Sequence, residues 1–96
     1  MEPIEIPIDG VLDLHTFLPK EVKDLVHEYI LACLEKRIFS IRIIHGKGKG
    51  ILKQTVQSAL SKNPHVASFT DAPAMAGGWG ATVVTLKQPA QTETSE

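Results

Sequence analysis

Asp13 and His15 stand two residues apart and pair a carboxylate with an imidazole. Side chains two apart on a strand share a face, so these two can work as a base and its orienting partner, or hold a water or a metal. His45 adds a second imidazole, and one carboxylate with two imidazoles is a donor set able to take a divalent transition metal. The plainer reading of the same residues is that Asp13 caps a turn and His15 bonds backbone. His27 and His65 read as structural, one between core positions of a helix and the other in a loop after Asn63-Pro64. Cys33 is the only cysteine and falls on an apolar helical stripe, which argues against a nucleophile, a disulfide or a cysteine zinc site.

A second constellation follows His45 directly. Gly46, Gly48 and Gly50 alternate with Lys47 and Lys49 ahead of a helical pattern. Such glycines let the backbone turn tightly and present N–H groups, and the helix that follows adds its positive end. The stretch reads as an anion cradle, although it matches neither the P-loop nor the dinucleotide fingerprint. Trp79, between Gly78 and Gly80, can pack on the core or stack on a nucleobase.

Charge is distributed in the same sense. The formal net charge is −1, but Glu2, Glu5, Asp9, Glu93 and Glu96 all lie outside residues 10–87, which therefore carry +4. No acidic residue occurs between Glu35 and Asp71, a gap that holds Lys36, Arg37, Arg42, Lys47, Lys49, Lys53 and Lys62. A basic stretch of this kind is either a solvated face or a surface for phosphate.

These residues need elements to position them, and 96 residues suffice for one modest domain. Residues 1–9 read as an extension or edge strand with Ile4, Ile6 and Ile8 alternating, 10–87 as the folded body, and 88–96 as a disordered tail. Within the body, residues 11–15 read as a strand, and Pro19 with Glu21 opens a helix striped by Val22, Leu25, Val26, Tyr29, Ile30 and Cys33. Residues 39–45 form a buried strand, and Leu52, Val56, Ala59 and Leu60 mark a second helix. Strands at 66–70 and 81–86 complete the order β-α-β-α-β-β. That order predicts an α/β chain of the α+β two-layer kind. Both helices cover one face of a mixed four-stranded sheet, and the last strand runs antiparallel. Asp13, His15, His45 and the 77–80 loop then converge at one sheet edge. No apolar run is long enough for a membrane span, and the start lacks a basic secretory segment, so a cytoplasmic location is expected.

Three blocks now coincide. Leu12-Asp13-Leu14-His15, then 45–52 from His45 to Leu52, then 78–82 from Gly78 to Thr82, resemble the signature blocks of the Smr (small MutS-related) domain family, in order and across roughly residues 10–87. The resemblance implies a fold akin to the C-terminal domain of translation initiation factor three, with sheet order 1-2-4-3. It implies DNA nicking, with branched DNA preferred by some members, or RNA cleavage, with Asp13, His15 and His45 as catalytic candidates. Gly46, Lys47, Gly48, Lys49, Gly50, Lys53, Arg42, Gly78, Trp79 and Gly80 are then the candidates for contacting nucleic acid. Here Thr16 and Phe17 follow the first block, where the family commonly has glycine.

Two functions are consistent with these residues: an endonuclease acting on phosphodiester bonds of DNA or RNA, and a non-catalytic nucleic-acid-binding or ribosome-associated module. A divalent ion such as magnesium or manganese is a candidate cofactor, held by Asp13, His15 and His45. The ribosome or a repair protein is a candidate partner.

Overall fold

Leu12 and Leu14 turn inward while Asp13 and His15 stay exposed, the alternation of a half-buried strand. A computed structural model of the chain describes residues 8–46, 50–73, 75 and 78–88, with backbone alone at Trp79. Strand β1 is Val11–Asp13, helix α1 Pro19–Glu35, β2 Ser40–Ile44, α2 Ile51–Ser61, β3 Val66–Asp71 and β4 Ala81–Leu86. A 3₁₀ turn, Gly78–Gly80, leads into β4.

The sheet order is β1-β2-β4-β3, as the sequence resemblance implied. β1 and β2 are parallel, and β4 runs antiparallel between β2 and β3. Leu12, Ile41, Ile43, Val84 and Leu86 line the inner sheet face and meet Val22, Val26, Ile30 and Cys33 of α1 and Val56 and Leu60 of α2 in one buried cluster. The opposite sheet face carries the alternate positions, among them Arg42, Thr70 and Thr85. The fold is thus a two-layer α+β sandwich.

Helix α1 starts where the sequence predicts. Pro19 occupies the first turn, where its missing N–H costs nothing, and the Glu21 carboxylate takes the Leu18 N–H at 2.9 Å. The helix ends in a Schellman turn, with Ile38 N–H on Cys33 O at 2.8 Å and Arg37 N–H on Leu34 O at 3.0 Å. Arg37 takes the left-handed position (φ 59°) that glycine usually fills in this motif. Past α2, the buried Asn63 accepts the His65 N–H through Oδ1 at 2.8 Å and donates through Nδ2 to His27 Nδ1 at 2.7 Å. His27 therefore has the structural part expected of it, clasping α1 to the turn before β3.

Three strand boundaries differ from expectation. β1 stops at Asp13 instead of residue 15, because the Asp13 carboxylate captures the His15 backbone N–H and bends the chain away. β2 loses a residue at each end, and β3 extends to Asp71. The outer edge of β1 is blunted by side chains: Asp9 Oδ1 accepts the Val11 N–H at 3.0 Å, and the Tyr29 hydroxyl donates to Val11 O at 3.2 Å. The edge strand expected at the start and the tail expected at the end fall largely outside the described residues, although Ile8 packs against the core. None of the described helices is long and apolar enough to cross a membrane.

Candidate functional site

Backbone hydrogen bonds bring two of the three sequence blocks together at one edge of the sheet. The N–H groups of His45 and Gly46 both donate to Gly80 O, at 3.0 and 2.8 Å. This pins the end of β2 to the turn that opens β4. The first block joins through the Leu14 N–H, which donates to Ile44 O at 2.9 Å. Asp13 lies opposite Ile44 in the parallel register, so His15 emerges beside the step from His45 to Gly46.

Asp13 and His15 form a closed pair. Asp13 Oδ1 accepts the His15 backbone N–H at 3.0 Å and lies 2.8 Å from the ring Nδ1. Since the carboxylate only accepts, Nδ1 carries the proton, and Nε2 is the nitrogen left with a lone pair in the neutral ring. The His15 side chain is 76% exposed and that of Asp13 49%, so Nε2 is open to an incoming substrate. The His15 backbone N–H, followed by its ring N–H, holds the Asp13 carboxyl below its ordinary value of 3.8. Asp13 is therefore a lasting anion at neutral pH.

His45 is built differently. It is buried at 6% exposure, and both ring nitrogens are engaged. Nδ1 lies 3.1 Å from Gly46 O, which can only accept, so Nδ1–H donates and Nε2 accepts the Thr82 hydroxyl proton at 2.8 Å. Neither nitrogen is available to a substrate or an ion. These bonds tie His45 and Gly46 to β4. The expected metal set does not fit: His45 has no open donor, His15 spends Nδ1 on Asp13, and no group of three His, Cys, Asp or Glu side chains able to hold a metal occurs among the described residues.

The glycine turn keeps part of its expected geometry. Gly46 and Gly50 have φ of 84° and 86°, values that side-chain-bearing residues rarely adopt. Nothing lies within 4 Å of where a Cβ would sit at either residue, so backbone conformation and not close contact calls for glycine there. Gly50 caps α2 without a side-chain hydrogen bond, and the first turn holds no acidic residue. No acidic side chain of that first turn offsets the positive end of the α2 dipole. Lys47, Gly48, Lys49 and the Trp79 side chain lie outside the described residues.

The remaining basic candidates are placed elsewhere. Lys53 Nζ bonds Asp71 Oδ1 at 2.9 Å, which ties α2 to the end of β3. Arg42 sits mid-strand on the sheet face away from the helices, opposite Val11 and Val83, and away from the loop edge. Cys33 is fully buried, and that burial pushes its thiol above the ordinary value. Sequence reasoning assigns no role to Thr82, although a signal is present. The residue falls on the inward positions of β4 with Val84 and Leu86, where a hydroxyl needs a partner.

A small two-layer α+β domain with a carboxylate–imidazole pair beside paired glycine turns defines a narrow class. The chain belongs to the Smr domain family, whose model matches residues 12–87. It is 43% identical over 80 residues to the Endonuclease MutS2 of Latilactobacillus sakei, covering 83% of this chain and 10% of that protein. It is 40% identical over 81 residues to the Ribosome rescue factor SmrB of Aliivibrio fischeri, covering 84% of this chain and 46% of that one. The chain thus spans a tenth to under half of these relatives. Among solved structures, the Smr domain of Thermus thermophilus MutS2 superposes with a TM-score of 0.78 at 34% identity, covering 82% of this chain and 99% of that one. YdaL, a stand-alone small MutS-related protein from Escherichia coli, gives 0.77 at 27% identity, covering 82% and 65%.

Proposed function

We propose that this domain binds nucleic acid and cleaves its phosphodiester backbone, with His15 as the general base of the reaction and Asp13 as its orienting partner. The observation that carries the reading is the exposed His15 Nε2 on a ring whose tautomer Asp13 sets. A pure binding surface has no use for an anion so near the glycine turns, where it repels phosphate. General acid–base catalysis has use for both groups.

In this mechanism Asp13 stays ionised and holds the imidazole by its Nδ1–H. Nε2 takes one proton from the attacking oxygen, a water or a hydroxyl of the nucleic acid itself, as the new P–O bond forms. The leaving oxygen departs with a proton returned by the imidazolium or by solvent. The backbone at Gly46 and Gly50, the positive end of α2 and the charges of Lys47 and Lys49 offset the phosphate charge. A three-donor metal set does not assemble among the described residues.

The similarity to Endonuclease MutS2 supports cleavage, and that to Ribosome rescue factor SmrB supports RNA and the ribosome as substrate context. A cytoplasmic location fits both. The test is incubation of the chain with labelled RNA, duplex DNA and branched DNA, each with and without a divalent ion. Cleavage of at least one that requires His15 supports the reading. Binding without cleavage of any favours the non-catalytic module.

A further inference from the structure

At the opposite end of the sheet from Asp13 and His15 lies a cleft of about 340 Å³. Leu34, Phe39 and Pro64 give it apolar walls, and Arg37, His65 and Lys87 supply cationic or titratable groups. Its volume is at the small end of ligand pockets, which suits one nucleotide-sized group. The backbone builds this cleft from three separate elements. The Schellman turn after α1 projects Arg37, Leu86 N–H bonds Phe39 O at 2.8 Å, and Lys87 N–H bonds His65 O at 2.8 Å. Neither Arg37 nor Lys87 enters an ion pair among the described residues. A second groove, along α1 beside the His15 turn, is acidic on balance, with Glu21, Asp24 and Glu28 outnumbering Lys20 around Phe17 and Leu25. A polyanion is thus disfavoured along α1 and favoured at the cleft.

We infer that the cleft is a second contact for single-stranded nucleic acid, taking a base against Phe39 and Pro64 and a phosphate on Arg37 and Lys87. The inference rests on the nucleic-acid reading of the first site and extends it to a footprint. Phe39 and His45 flank β2 six positions apart, or about 20 Å at the usual rise. Between the two sites lies the sheet face that bears Arg42, Thr70 and Thr85. Charge complementarity and the apolar walls favour a nucleotide over the chain's own continuation past Gln88, which offers glutamates but no large apolar side chain.

Arg37 allows an unusually clean variant. Glycine is the residue its left-handed backbone prefers, so Arg37→Gly removes the guanidinium while relieving the turn. The experiment follows ¹⁵N-labelled full chain by NMR while an eight-residue oligothymidylate is added. Salt-dependent affinities are measured in parallel for the parent and for Arg37→Gly with Lys87→Ala. The expected result is movement of the amides of Arg37, Phe39, His65 and Lys87 together with those of His15 and Gly46. The double variant should lower the slope of log affinity against log salt by about 0.7, for the one phosphate neutralised on a single strand. Arg37→Gly alone should unfold no earlier than the parent. Movement at His15 and Gly46 only, with an unchanged slope, overturns the cleft and leaves the first site standing. Movement at the cleft alone removes the first site and with it the footprint that joins the two. No movement at either overturns both. A shift of the cleft amides on deleting residues 89–96, without nucleic acid, makes the chain's own acidic end the occupant and also overturns the inference.

Discussion

Asp13 Oδ1 receives both the backbone N–H and the ring Nδ1–H of His15, at 3.0 and 2.8 Å. One carboxylate oxygen thereby ends β1, sets the direction in which His15 leaves the sheet and selects the tautomer of its ring. Local turn chemistry and the proposed catalytic chemistry share the same atom. Substitutions at Asp13 must therefore be read for fold and for rate together.

The buried His45–Thr82 bond separates positioning from chemistry. Thr82→Val keeps the shape but removes the hydroxyl, leaving His45 Nε2 without its partner in a dry site. A buried unsatisfied group costs about 1–3 kcal/mol, so the variant should unfold at lower denaturant concentration by that amount. Thr82→Ser should restore most of it. An unchanged midpoint for Thr82→Val would show that the pair holds nothing in place.

The pH dependence has a definite sign. The Asp13 carboxyl is held below 3.8 in the folded chain, so the stability it contributes is fully present above that value. It is lost only as pH falls through the lower folded value. Asp13 thus supplies no acid limb to the rate near neutrality. A pH–rate profile with Asp13→Asn compared at each pH checks this. A neutral-pH limb that disappears on that substitution alone contradicts it.

The lysines should divide into two kinds. Lys47→Ala with Lys49→Ala is expected to flatten the salt dependence of binding by about 0.7–0.9 for each phosphate no longer neutralised. Lys53→Ala should change that slope little, because its ammonium is already committed to Asp71. Filter binding from low to moderate salt distinguishes them. Equal slopes for the Lys47/Lys49 variant and the parent would remove the cradle.

Because the His45 nitrogens are engaged and no three-donor group assembles among the described residues, the Asp13–His15 pair should cleave without a divalent ion. Cleavage is expected to persist in a chelator, with any stimulation by magnesium traceable to the nucleic acid. Complete loss in the chelator, restored stoichiometrically by metal, would require a metal at the site.

Much of the fold is legible in the sequence. The stripe from Val22 to Cys33, Pro19 at the helix start and the unbroken run of 81–86 are local signals, and each marks its element within a residue or two. The end of β1 is not, because periodicity registers only that Leu12 and Leu14 point inward. It does not register that the Asp13 side chain captures the His15 N–H. His45 groups with Asp13 and His15 on type and proximity alone. The deciding partner, Thr82, lies 37 residues away and acts only after β2 pairs with β4. Lys53 looks free for phosphate for the same reason, since Asp71 reaches it only when α2 packs beside β3.

The central claim is that Asp13 and His15 act as one catalytic unit on a phosphodiester. It is tested most directly by single-turnover cleavage measured beside affinity and thermal unfolding for the parent, Asp13→Asn, Asp13→Ala, His15→Ala and the double alanine variant. Asp13→Ala and His15→Ala should each lose about 10²–10⁴ in rate. The double variant should lose little more, because groups acting as a unit are not additive. Asp13→Asn, which can still accept the His15 N–H, should keep the parent's fold and bind as well or slightly better, yet cleave more slowly. A folded Asp13→Ala chain that binds and cleaves at the parent rate would contradict the account.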